Sequence, residues 1–176
     1  MSTATMSSTA AAQHELYITR VFDAPRELVW KVWTDPEHMK HWAGPRQFEA
    51  RDIKNDPRPG GKWRLSLHTD GFDVGDGVVR SFDLRQGGEN VEVVEPERLV
   101  YTFKWEDNPG LSANVETVIT VTFEEHDGKT TMNFRQAFFV SDKDRDGHIR
   151  GWNSSFDKLA DYLGEVQTKE GRRGKQ

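Results

Sequence analysis

Apolar residues recur along this chain with two different periods. Leu28, Val29, Val32 and Trp33 repeat at helical spacing and give a first helix one apolar face. Ile149, Trp152, Phe156, Leu159 and Leu163 recur at alternating intervals of three and four, which predicts one long amphipathic helix towards the C-terminal end. Between these helical ends the period is two. Segments 16–22, 47–53, 62–68, 77–94 (with an interruption), 99–105, 115–124 and 129–139 alternate, so each predicts a strand with one buried and one wet face. Turn signals separate them, including Pro59-Gly60-Gly61, Asn108-Pro109-Gly110 and Asp127-Gly128. Short connections imply an antiparallel meander of roughly seven strands.

Phase assigns the faces. Trp63, Leu65 and Leu67 share one, with Tyr101, Phe103 and Trp105, then Thr117, Ile119, Val121 and Phe123, then Met132, Phe134, Gln136 and Phe138. These point towards the long helix, while Arg64, Ser66 and His68 face solvent. Asp52, Gln136 and Arg20 are polar positions in phase with the inward set, and an inward polar group needs a partner in the protein or in a ligand. Gln136 is the preferred hydrogen-bonding contact inside; Arg20 has the alternative of pairing with an acidic neighbour across the sheet edge. Two short helices follow the first strand. Pro25 and Pro36 each suit the first position of a helix, and Asp35 is placed to cap the second.

Composition narrows the class. The 176 residues suit one domain with its own core, and the 0 cysteines exclude disulfides, a thiolate nucleophile and cysteine-ligated metals. Absence of a signal-like or membrane-spanning run, with no cysteine, reads as a cytoplasmic protein without membrane insertion. The net charge of −5 argues against a nucleic-acid partner. Residues 1–14 read as a disordered polar tail, 15–164 as a single domain, and 165–176 as a disordered basic tail. Within the stretch 69–85, Asp70, Gly71, Asp73, Gly75, Asp76 and Gly77 read as a Gly/Asp-rich loop between the third and fourth strands.

Candidate chemistry is sparse. Asp142, Asp144, Asp146 and Gly147 imitate the start of a calcium loop, but position twelve is Asn153 where a bidentate Glu is needed; the acids read instead as a loop at the N-terminus of the last helix. His38 and His41 lie three apart without a third ligand, so no metal is expected. Ser154 and Ser155 lack the strand–turn–helix context of a hydrolase elbow, and Gly60-Gly61-Lys62 lacks the rest of a phosphate loop. No cofactor is implied.

Several short motifs occur together: Val21-Phe22-Asp23-Ala24-Pro25 to Trp30, Thr34-Asp35-Pro36-Glu37, His41-Trp42-Ala43-Gly44-Pro45, the Pro-Gly-Gly turn before Trp63, Val94-Glu95-Pro96-Glu97-Arg98-Leu99-Val100, and Gly151-Trp152-Asn153-Ser154-Ser155-Phe156. In this order they resemble the activator of Hsp90 ATPase homologue-like family of the START/SRPBCC superfamily, over residues 15–164; stretch 69–85 departs from the pattern. The resemblance implies an α+β helix-grip fold, with a curved antiparallel sheet of about seven strands wrapped around a long C-terminal helix. It also implies a cavity for a small, largely hydrophobic molecule between sheet and helix. His41 and Trp42 fall where the family's second helix borders the cavity entrance, although His41 also suits a helix end. Phase adds Trp63, Tyr101, Trp105, Phe134, Gln136, Trp152 and Phe156 as ligand contacts, since aromatic walls supply apolar area and polar handles. A packed core explains the same aromatics. The rival functions are a cyclase or aromatase acting on a polyketide-like or other lipophilic substrate, and a protein-binding module with a chaperone partner. The pattern leaves a monomer and a homodimer both open.

Overall fold

The computed structural model describes residues 14–73, 75–106 and 115–174. Strand β1 (Leu16–Phe22) leads into helix α1 (Arg26–Thr34) and the single-turn helix α2 (Pro36–Met39). Six strands follow: β2 (Glu49–Asn55), β3 (Lys62–Asp73), β4 (Val79–Val94), β5 (Arg98–Glu106), β6 (Thr117–His126) and β7 (Lys129–Ala137). Helix α3 (Asp142–Gly174) closes the chain. The strands form one curled sheet in the order β1-β7-β6-β5-β4-β3-β2, every pairing antiparallel. This is the helix-grip fold. No helix is long and apolar enough to cross a membrane among the described residues.

The apolar faces meet as their periods require. Phe156, Leu159 and Leu163 of α3 are buried against the sheet, with Phe134 and Phe156 rings 5.2 Å apart in an edge-on arrangement. Val29, Trp30, Val32 and Trp33 bury one side of α1, and Trp33 packs against Phe123, Phe134 and Phe156. Asp35 ends α1 and caps α2, its carboxylate accepting from the Glu37 N–H at 2.9 Å with Pro36 in the first turn. Pro25 differs from expectation. It is the N-cap of α1 in extended backbone rather than its first helical residue, and its carbonyl accepts from the N–H groups of Leu28 and Val29.

Several other expectations are corrected. Phe138 does not continue the inward alternation: β7 stops at Ala137, Phe138 takes φ of +76° and turns outward, and Phe139 is buried in its place. Asp52 sits at a register shift between Arg51 and Lys54 with φ of +52°, which rolls it to the exposed side. The predicted loop at residues 70–77 is shorter than expected, because β3 runs on to Asp73 and β4 begins at Val79: Thr69 pairs with Phe82 and Asp73 with Val79, and Phe72 and Phe82 close on Phe48 with ring centroids 5.3 and 5.8 Å from it. The expected loop at Asp142–Gly147 is the start of α3, where Asp142 pairs with His14 and Arg145. Nor does the C-terminal tail begin at 165. Helix α3 continues to Gly174, helped by Gln167, whose side chain donates to the carbonyls of Asp23 and Leu163 at 2.9 and 3.2 Å. Residues 1–13 of the expected N-terminal tail and the Asn108-Pro109-Gly110 turn lie outside the described residues.

The interruption in β4 is a close approach. A Cβ on Gly88 would collide with the Thr102 carbonyl of β5, so glycine lets the two strands press together.

Candidate ligand cavity

The curl of the sheet leaves space that α3 does not fill. A cavity of about 60 Å³ lies between the two short helices and the β2–β5 half of the sheet. Helix α1 contributes Trp33 and Thr34, α2 contributes Met39, and the segment after it contributes Trp42, Ala43 and Gly44. Opposite stand Asn55 of β2, Trp63 and Leu65 of β3, Gln86 and Asn90 of β4, and Leu99 and Tyr101 of β5. Trp152 is the contribution of α3. No Asp, Glu, Lys, Arg or His lines the cavity among the described residues.

Most polar groups in this lining have partners. The Trp42 indole N–H donates to the Val32 carbonyl at 3.0 Å, that of Trp63 to the Thr102 carbonyl at 2.9 Å, and that of Trp152 to the Gln136 amide oxygen at 2.8 Å. Asn90 donates to the Asn55 amide oxygen and the Asp56 carbonyl, and Asn55 donates to the Thr34 carbonyl. The Thr34 hydroxyl turns back on the Trp30 carbonyl. Three groups differ. The Trp33 indole N–H is buried without an acceptor, and the Gln86 amide and Tyr101 hydroxyl have no hydrogen-bond partner among the described residues. These residues are 5%, 8% and 9% exposed. Burial alone pushes the Tyr101 hydroxyl above the ordinary phenol range, so it stays protonated.

One wall is held from a distance. The Ser155 hydroxyl donates to the Trp42 carbonyl at 2.9 Å, and the Ser154 hydroxyl accepts from the Arg46 N–H at 3.0 Å. Lys158 directs its ammonium at the carbonyls of Ala43, Gly44 and Pro45, the shortest contact being 2.9 Å to Gly44. Burial, then the neighbouring Arg46 charge, lowers the Lys158 pKa. Gly44 has φ of +83°, and a Cβ there would lie 2.5 Å from Leu67 Cδ2, so the segment passes close over β3.

Of the residues singled out from sequence, Trp42, Trp63, Tyr101 and Trp152 line this one cavity. The others lie elsewhere. His41 is exposed and stacks on Tyr162, ring centroids 4.6 Å apart; burial and the Lys40 charge lower its pKa. Phe134 and Phe156 are in the packed core. Trp105 is half-buried and donates to His148 Nε2 at 3.0 Å, while His148 Nδ1 donates to the Asp144 carbonyl at 2.9 Å. This arrangement fits a neutral imidazole, and burial lowers the His148 pKa. Gln136 is fully buried, but its amide donates to Thr117 Oγ1 at 2.8 Å and accepts from Trp152, so both its ends are occupied by protein. Arg20 reaches α3, donating to Asp157 at 2.8 Å and to Asn153.

Sequence reasoning missed Trp33, Gln86, Asn90 and Asn55. Gln86 carries a signal, because it continues the inward alternation of Phe82 and Leu84 within the predicted 77–94 strand, but a polar residue in that phase is not by itself a cavity contact. Trp33 looked like any other member of an apolar helix face.

The family model for Activator of Hsp90 ATPase homolog 1-like protein matches residues 23–164. No curated protein matches in sequence. Solved structures share the fold. A Silicibacter pomeroyi protein bearing the same family's name is 20% identical, with a TM-score of 0.72 covering 86% of this chain and 99% of that one. An Arthrobacter aurescens protein solved by NMR is 21% identical, with a TM-score of 0.71 and 88% of each chain covered. A Chromobacterium violaceum protein is 22% identical, with a TM-score of 0.67 covering 83% and 94%.

Proposed function

Because the chain belongs to the Activator of Hsp90 ATPase homolog 1-like family, we propose that it binds a small, largely hydrophobic molecule in the cavity between the sheet and its helices. The observation that carries this reading is the lining itself: four indoles and a phenol around one space, joined by Met39, Leu65 and Leu99. Aromatic walls of this kind provide large apolar contact at small entropic cost. The cavity volume of about 60 Å³ accommodates only a few water-sized groups, so a larger occupant extends through the open side or displaces a wall. The Trp42–Arg46 segment is the wall suited to that, since side chains of α3 hold it rather than a strand ladder.

Binding rather than turnover is favoured by the lining. With no Asp, Glu, His or Lys among the described residues facing the space, a cyclase or aromatase would lack a proton carrier near neutral pH, and a phenol held protonated by burial is a poor substitute. The reading includes a cytoplasmic location, which suits a chain with 0 cysteines.

The test uses the cavity's own reporters. Titration of the purified protein with a panel of uncharged lipophilic compounds is expected to change tryptophan fluorescence and raise the thermal midpoint. Replacing Leu65 with Trp, which fills the space, should abolish both responses while the protein remains folded by circular dichroism. A panel without any response, or one undiminished in that variant, overturns the reading and turns attention to capture of a protein partner such as a chaperone.

A further inference from the structure

We infer that His68 is a pH-sensitive latch: its doubly protonated imidazole fastens the outer end of the β3–β4 hairpin and, through Phe72 and Phe82, steadies Phe48 at the far end of the cavity wall. The latch acts whether or not the cavity holds a molecule, so it stands apart from the binding reading.

The hairpin has a weak place here. Strands β3 and β4 pair residue for residue as far as Thr69 and Phe82, where the register shifts and Asp70 and Gly71 of β3 stand against Ser81 alone. Beyond that bulge only Phe72 with Arg80 and Asp73 with Val79 continue the ladder. His68 precedes the bulge on the outer face of the sheet, its side chain 16% exposed. Its Nε2 lies 2.9 Å from Asp70 Oδ1 in the bulge, and its Nδ1 lies 2.6 Å from Oδ1 of Asp83, the residue directly opposite on β4.

Those two contacts select one protonation state. An ionised carboxylate only accepts, and a neutral imidazole has one hydrogen to give, so a neutral His68 would set a lone pair against one of the two oxygens. The imidazolium donates to both. The neighbouring charges are mixed: on β2, Glu49 is directly opposite His68 and pairs with Arg51 at 3.0 Å, and on β4, Arg85 follows Asp83 on the same face. The hydrogen bond to Asp70 and then that to Asp83 raise the His68 pKa above its ordinary 6.5 and outweigh the opposing Arg51 charge. The latch is therefore closed below 6.5 and opens as pH rises through the raised value.

What it holds lies on the inner face. Phe72 and Phe82, on either side of the bulge, close on Phe48 with ring centroids 5.3 and 5.8 Å from it. The Phe48 N–H donates to the Pro45 carbonyl at 2.9 Å, so this residue ends the segment that begins at Trp42. Side chains of α3 hold one part of the wall, and the hairpin holds the other.

The experiment follows the full chain from about pH 6 to about pH 9, a window that spans the titration of a raised histidine. By NMR the His68 imidazole should titrate above 6.5, and Asp70→Asn and Asp83→Asn should each lower its midpoint. Hydrogen exchange is read by mass spectrometry, with labelling times scaled to the intrinsic rate at each pH and β6 as the internal reference. Because both carboxylates are exposed and screened, protection at residues 46–48, 71–73 and 79–82 is expected to fall only about threefold as the proton leaves. His68→Gln, which carries no titrating group, should lose that pH dependence while β6 stays protected, which shows the variant is folded. A His68 midpoint at or below 6.5, or a pH dependence that persists in His68→Gln, overturns the latch. Loosening confined to the hairpin, with residues 46–48 unchanged, overturns its link to the wall.

Discussion

Replacing Gln136 with Leu tests the buried linkage that sets the position of Trp152. The amide is completely enclosed and bridges two elements: it donates to Thr117 Oγ1 on β6 and accepts from the Trp152 indole on α3, each at 2.8 Å. Leucine fills much of the same volume but can do neither. Stranding the half-buried Trp152 N–H costs about 1 kcal/mol, the low end of the range for an unsatisfied donor, and the lost bond to Thr117 costs about 1 kcal/mol more. Thr117 keeps its own donation to the Phe103 carbonyl, which limits that second loss. The sum of about 2 kcal/mol corresponds to a fall of roughly 4–8 °C in Tm for a chain of this size. Urea unfolding followed by circular dichroism gives the free energy, and calorimetry the midpoint. A double-mutant cycle with Trp152→Phe isolates the bond, since the phenylalanine has no N–H to strand; a coupling of about 1 kcal/mol is expected. Additive effects, or a Gln136→Leu protein as stable as the parent, would refute the argument that this hydrogen-bonded bridge stabilises the fold.

Two further outcomes follow from the same structure. Lys158→Met removes the ammonium that holds three carbonyls of the cavity wall, and should cost about 1–2 kcal/mol and speed amide hydrogen exchange at residues 42–46 more than in β6 or β7; unchanged exchange there would show that the wall is held by something else. His148 has a lowered pKa in the folded protein, so the unfolded chain takes up its proton first as pH falls below the ordinary value of 6.5. Its contribution to stability is present above that pH and is lost on acidification through the folded pKa. The difference in unfolding free energy between the parent and His148→Gln should accordingly shrink between pH 7 and pH 5, whereas a constant or growing difference would contradict a neutral, Trp105-bonded imidazole.

Much of the fold was legible because its signals are local. The periods of Leu28 to Trp33 and of Ile149 to Leu163 marked the helices, and the alternation from Leu16 to Gln136 marked the strands, because burial on one face requires those spacings. The failures occur where one residue changes the phase. Phe138 and Asp52 adopt left-handed backbone and reverse their side chains, and nothing in their residue types requires it. The loop between β3 and β4 is a matter of extent: Gly and Asp at 70–77 resemble a loop, yet strand pairing and the Phe48, Phe72 and Phe82 cluster carry β3 on to Asp73.

The candidate site was half legible. Trp42, Trp63, Tyr101 and Trp152 were found and line the cavity together, but phase cannot distinguish an aromatic beside a space from one in close packing, so Phe134 and Phe156 were chosen on equal grounds and belong to the core. Gln136 shows the same limit for polar groups. Its inward direction was readable; that Thr117 and Trp152 satisfy it, while Gln86 and Tyr101 stay unpaired, was not.

By itself the sequence determined which segments are helix and which are strand, the inward face of most of them, and that no cysteine chemistry takes part, since the periods follow from neighbours a few positions apart. Tertiary structure alone decided where the inward faces fail to meet. The cavity joins residues from α1, α2 and the segment after it, four strands and α3, and its existence depends on how far the sheet curls and how closely α3 approaches. Those are distances between elements remote in the chain, and a local pattern of polar and apolar residues specifies direction without specifying distance.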